Sequence, residues 1–277
     1  MVYISVLNVI THYYRKKRNK MIQSFKLIPS AAGRKMPVYM FQIDDLLLDT
    51  GPRSVEKQVR SIVKDIHITR VIHTHHHEDH TGNSAWIQKE YNLPQWIHPV
   101  GVSMCQRATR LPFYRAFMWH NRDAFFPTPL EAEYVETDFY RFKVVHTPGH
   151  AEDHIVLIDE EKAICFTGDL YLFHSPVSNF SFESVPEIIR SLDKVLTYSF
   201  QDIYCSHRGY IRNGRKLLER KHAYLLELQE RVVQAFQAGR SPKQIRKELL
   251  PKSKWFQYIS FFENSSIHTV QSILKEL

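Results

Sequence analysis

The run His75-His76-His77-Glu78-Asp79-His80 puts six ligating or ionisable side chains side by side. It follows Arg70 to Thr74, which reads as a short strand. Alternate residues at a strand end point the same way, so His75 and His77 can grip one metal while Asp79 and His80 turn toward a second, with His76 directed away. Crowding such groups together is unfavourable unless a cation compensates them. Three later segments have the same form, each with a ligand just past an apolar strand. They are His150 in Thr147-Pro148-Gly149-His150, Asp169 in Phe166-Thr167-Gly168-Asp169, and His207 in Tyr204-Cys205-Ser206-His207. Ligands from successive strand ends of one sheet converge on one edge.

The elements that must carry these ligands are legible in outline. MIQSFKLIPS, from Met21, reads as a first strand, followed by strands at Val38 to Ile43 and Leu46 to Leu48. Further strands are expected at Phe142 to His146, His154 to Ile158, Ala163 to Thr167 and Asp202 to Cys205. A helix over Val185 to Leu196 is marked by Ser184 and Glu187 in a capping-box pattern and by apolar residues on one face. Gly101 to Ala132, rich in aromatic residues and without a clear strand, reads as a helical insertion able to cover a pocket. After Gly209 the chain becomes helical. A long amphipathic helix near Lys216 to Ala238 ends at Gly239, one capped by Ser241, Pro242 and Gln244 follows, and a last one spans about Ile267 to Leu274. The result is an α/β or α+β body.

Of the 277 residues 43% are hydrophobic and 24% charged, the balance of a globular chain, and the longest apolar runs, such as Val2 to Ile10, fall far short of a membrane span. Cys105, Cys165 and Cys205 are odd in number and widely spaced, which argues against a disulfide scaffold and for an intracellular, cytoplasmic protein. The net charge of +8 is uneven. Residues 1–20 carry +5 with no acid, residues 209–277 carry thirteen Lys or Arg against six Glu, and the middle is left at −4. In the first twenty residues the basic cluster follows the apolar stretch, the reverse of a signal peptide, so they are expected to form an extension or disordered arm.

The order His-x-His-x-Asp-His, then His, then Asp, then His, over roughly residues 21 to 210, resembles the metallo-β-lactamase fold superfamily. The resemblance implies a four-layer αβ/βα sandwich with metals at one edge and a helical, winged-helix-like C-terminal subdomain over 211–277. It implies a first metal on His75, His77 and His150, a second on Asp79, His80 and His207, and Asp169 bridging the two. Asp49, in a turn that looks like the family's Asp-Thr-Gly, would support the ligands from behind, and His154 would be a further support. A hydroxide bridging the metals would be the nucleophile, with Asp79 orienting it and passing a proton to the leaving group. Histidine and carboxylate ligands without thiolate suit two zinc ions best, and iron or manganese would also fit. Tyr171 and His174, just after Asp169, are candidate substrate contacts, with a loop or packing role as the competing reading.

The leading expectation is a dinuclear zinc hydrolase acting on an ester-like bond, a thioester or lactone, in a small acyl substrate, as a monomer or homodimer. The bridging Asp169 argues against β-lactamase activity. The alternative is a ribonuclease or other phosphodiesterase holding a nucleic-acid backbone on the basic C-terminal part, for which a packing or dimer-forming appendage with a solvated basic face is the preferred explanation. An iron-dependent sulfur dioxygenase ranks lower, because the Gly-Cys-Gly-Arg segment expected after the Asp is replaced by LYLFHSPV at 170–177.

Overall fold

A computed structural model describes residues 22–31, 33–176, 178–250 and 256–277. The expected arm 1–20 lies outside the described residues. Two six-stranded sheets dominate. The first runs β1 (Gln23–Leu27), β2 (Val38–Ile43), β3 (Leu46–Leu48), β4 (Arg70–Ile72), β5 (Gln95–Ile97) and β6 (Thr128–Pro129) in spatial order. The second runs β7 (Tyr134–Glu136), β8 (Arg141–His146), β9 (Ile155–Asp159), β10 (Ile164–Gly168), β11 (Asp202–Cys205) and β12 (Gly209–Ile211). The helices are α1 (Glu56–Asp65), α2 (Glu78–Thr81), α3 (Ser84–Tyr91), α4 (Val102–Cys105), α5 (Phe113–Trp119), α6 (Val185–Leu196), α7 (Arg215–Gln237), α8 (Pro242–Leu249), α9 (Phe256–Ile259) and α10 (Ser266–Leu274).

The period of two along the central strands builds the layers, because both faces of each sheet are apolar. Met40, Leu47 and Val71 pack outward on Val59 and Val63 of α1 and Ile87 of α3. Their neighbours Phe41, Ile43, Leu46, Leu48 and Ile72 face inward and meet Phe142, Ile155, Leu157, Ile164 and Phe166 of the second sheet. Val156, Ile158, Cys165 and Ile203 point the other way, onto Leu192 and Val195 of α6 and Leu218, Leu225 and Leu228 of α7. Helix, sheet, sheet and helix thus alternate, and each fully buried aliphatic side chain contributes about 2 kcal/mol to holding them.

Strand direction decides where the ligands meet. β3 and β4 are parallel, as are β10 and β11, so the residues after each pair emerge at a common edge. β9 is antiparallel to both β8 and β10, so the loop from β8 into β9, with His150 and His154, lies at the edge where β10 ends.

The insertion departs from the expectation of a helical segment. It holds two short helices, α4 and α5, and ends in β6, which pairs parallel to β5 and completes the first sheet. Pro112, Pro127 and Pro129 interrupt any longer helix there. Its loops are gathered by Arg122, 1% exposed, whose guanidinium donates to the carbonyls of Met104 at 3.0 Å and Cys105 at 2.9 Å. The Arg70 strand stops at Ile72, two residues short of the sequence reading, and His154 precedes β9 instead of opening it. The helix over 185–196 has the expected bounds, with the Ser184 hydroxyl accepting from the Glu187 N–H at 3.3 Å.

Candidate metal centre

Two groups of ligand atoms face one another at this edge. In the first, His75 Nε2 lies 3.0 Å and His150 Nε2 3.1 Å from His77 Nδ1. All three residues are buried. Burial, reinforced by the neighbouring imidazoles, holds His75 and His77 well below the ordinary histidine pKa, so both are neutral. Two imidazole nitrogens thus converge on the single Nδ1 of His77, which has one lone pair and can accept only one of them well, a crowding that a shared cation resolves.

The second group is Asp79, His80, Asp169 and His207, whose ligand atoms all lie within 4.8 Å of one another, as do those of the first group. His207 Nε2 is 3.3 Å from Asp79 Oδ2 and 3.2 Å from Asp169 Oδ2. Asp169 Oδ2 also lies 3.4 Å from His150 Nε2, and Oδ1 lies 3.5 Å from His80 Nε2, so this carboxylate stands between the groups. Burial would lower His80 and His207. The carboxylates of Asp79 and Asp169, with Asp49 acting on His80, outweigh it, raising His80 well above its ordinary value and His207 to about 10. Burial would conversely raise Asp169, and the cationic imidazoles of His207 and His80 hold it well below the usual carboxylate range.

The outer nitrogens of these histidines are fixed from behind. His80 Nδ1 is 2.9 Å from Asp49 Oδ2, and Asp49 in turn accepts from the Thr74 N–H at 2.8 Å and hydroxyl at 2.9 Å. Asp49 does this from a left-handed backbone, φ 62°, which Asp tolerates better than most residues. His207 Nδ1 donates to the Pro37 carbonyl at 2.9 Å, and His150 Nδ1 meets Glu183 Oε1 at 2.6 Å. Each support leaves the other nitrogen free for the centre. His80 Nε2 is buried with no hydrogen-bond partner among the described residues. That orphaned atom, three converging imidazoles and a carboxylate between the groups form a donor set that fits a pair of divalent cations.

His154 acts on the backbone: its Nε2 accepts from the Asp169 N–H at 3.0 Å while Nδ1 pairs with Thr147 Oγ1 at 2.8 Å. Burial depresses it to about 3, keeping it the neutral acceptor this requires. His76 turns away from the ligands, 2.7 Å from Asp153. Tyr171 is placed otherwise than as a substrate contact, its ring belonging to the apolar cluster beneath the second sheet, and His174 is exposed in the following loop. Sequence reasoning missed Glu183, Thr74 and the Pro37 carbonyl. It also missed Arg115 of α5, which grips buried Glu78 through two hydrogen bonds of 2.6 and 2.7 Å. Phe182, 46% exposed, stands with its ring 5.5 Å from that of His77.

Comparison with known proteins agrees with this geometry. Residues 44–233 match the family model described as the metallo-beta-lactamase superfamily. An uncharacterized protein of Aquifex aeolicus is 26% identical over 58% of this chain and 77% of its own length. A hydroxyacylglutathione hydrolase of Haemophilus influenzae is 28% identical over 49% of this chain and 65% of that protein. An atrochrysone carboxyl ACP thioesterase of Passalora fulva is 27% identical over 61% and 46%. For the latter two the match spans less than two thirds of the relative's length. Among solved structures, a metallo-beta-lactamase family protein from Thermus thermophilus superposes with a TM-score of 0.64 at 18% identity, covering 92% of each chain. A beta-lactamase domain protein from Burkholderia ambifaria gives 0.66 at 16% identity, covering 94% of this chain and 87% of its own. With two packed sheets, helices outside and facing His/Asp groups at one edge, the chain belongs to the metallo-beta-lactamase superfamily and is a metal-dependent hydrolase of that superfamily.

Proposed function

We propose that this protein hydrolyses an ester-like bond, a thioester or lactone, in a small acyl substrate, using two zinc ions. The observation that carries the reading is the position of Asp169 between two buried ligand groups. His75, His77 and His150 would hold one ion, Asp79, His80 and His207 the other, with Asp169 reaching both. When bound, such a pair activates water for attack and polarises the substrate carbonyl. Asp79 is the residue for the proton. One carboxylate oxygen lies by His207, and the carboxylate can orient the attacking water and carry its proton to the leaving group.

The mouth of the site supports an acyl substrate over a nucleic acid. Phe182 offers an apolar surface beside the first group, and the nearby Arg115 is already occupied by Glu78. Two relatives also have names that specify hydrolysis of an acyl group, a hydroxyacylglutathione hydrolase and an ACP thioesterase. The test is elemental analysis of protein purified without added metal, followed by panels of thioesters, lactones and RNA. Two zinc per chain and turnover of small acyl substrates independent of salt are expected. A single iron, or RNA cleavage that falls steeply with salt, overturns the reading.

A further inference from the structure

A buried ammonium stands behind Asp169 that the reaction above does not use. Lys221 of α7 is 5% exposed, and its Nζ donates a 2.6 Å hydrogen bond to the Leu170 carbonyl. Desolvating a charged donor is costly, whereas a methionine would fill similar space without that cost. The position of the bond suggests what offsets it. Residue 170 directly follows Asp169, and the turn is pinned elsewhere too. The Leu170 N–H donates to the Thr167 carbonyl at 2.9 Å and the Asp169 N–H to His154. Gly168 enters the turn at φ 48°, where an added Cβ would lie 2.5 Å from His154 Nε2. The carboxylate between the two ligand groups therefore hangs from a backbone held by His154 on one side and Lys221 on the other. A charged donor holds a carbonyl about twice as firmly as a neutral one.

We propose that Lys221 is a positioning residue that fixes the Asp169 turn so that the carboxylate can reach both ligand groups. The inference rests on the dinuclear reading above. It separates Lys221 from a lysine that merely anchors α7, because only a positioning role reaches the metals. The test is zinc binding to the metal-free full-length protein, by competition with a chromogenic chelator, for wild type, Lys221→Met, His154→Gln and the double variant, with melting temperatures recorded alongside. Lys221→Met is expected to weaken binding of the second equivalent by roughly tenfold or more. The double variant should lose less than the product of the two single losses, since both residues hold one turn. Unchanged affinity for both equivalents in Lys221→Met, whatever its melting temperature, overturns the inference, as does strictly multiplicative loss in the double variant. Should Lys221→Met not fold, Lys221→Gln, which keeps an N–H donor without the charge, is held to the same criteria. A wild type that takes up fewer than two zinc removes the dinuclear reading and this inference with it, whereas two zinc bound equally tightly by wild type and variant removes only the inference.

Discussion

Glu183 decides the orientation of His150, because its Oε1 occupies Nδ1 at 2.6 Å and leaves Nε2 turned toward His77. Glu183→Ala is expected to lower zinc affinity by roughly 10- to 100-fold with little change in fold, measured by chelator competition. The protonation of the centre gives a second prediction. Against burial, Asp169 and Asp79 raise His207 to about 10, and Glu183 raises His150. Each imidazole must shed its proton before its nitrogen accepts a cation. At pH 7 the metal-free protein thus carries protons that the loaded one lacks. Zinc uptake should release them, and affinity should climb with pH by up to about tenfold per unit per proton for as long as His80 and His207 remain protonated in the metal-free protein. Calorimetry in buffers of different ionisation enthalpy reads this directly, and uptake with no proton release would contradict it. The seven candidate ligands could be named from the sequence because four of them crowd into the six residues His75 to His80 and the other three each follow a short apolar strand. Glu183, 33 residues from His150, and Pro37, 170 residues from His207, leave no local pattern by which to be found.

The insertion between the sheets is fastened to the ligand segment by one ion pair. Arg115 of α5 bonds both oxygens of Glu78, 2% exposed, the neighbour of Asp79, and its other amine lies 3.9 Å from Glu263. Arg115→Ala would strand the Glu78 carboxylate in the interior and should cost about 3 kcal/mol in denaturant unfolding. Replacing Glu78 by Gln in the same background should restore part of that loss, since the unpaired charge is then gone. No loss in the single variant would mean that Glu78 finds water or another partner. At this scale the sequence spoke unevenly. α6 was legible to the residue because Ser184 caps it and its apolar face repeats, whereas β6 is two residues long and contains a proline, too little for any period to register. Its pairing comes from β5 alone.

The C-terminal helices are bound into the body of the molecule. Leu218, Leu225, Leu228 and Val232 of α7 share one apolar cluster with Val156, Ile158 and Ile203 of the second sheet, and Ile245 and Val270 extend it. A chain ending at residue 210 is therefore expected not to fold, and a cooperative melting transition from that fragment would show the sheets to be self-sufficient. Such packing is invisible in the sequence, where the change from strands to helices at Gly209 marks the start of a C-terminal subdomain without saying what it packs on. The chain's end returns to the site once more: Asn264–Ser265 pairs antiparallel with Asn179–Phe180, just ahead of Phe182 and Glu183. The Phe180 N–H donates to Glu183 Oε2 at 2.7 Å, on the same carboxylate that orients His150. That amide is consequently a built-in reporter. Its hydrogen-exchange rate is expected to rise when that carboxylate is displaced or removed, so the support behind His150 can be followed through the backbone without substrate or metal spectroscopy.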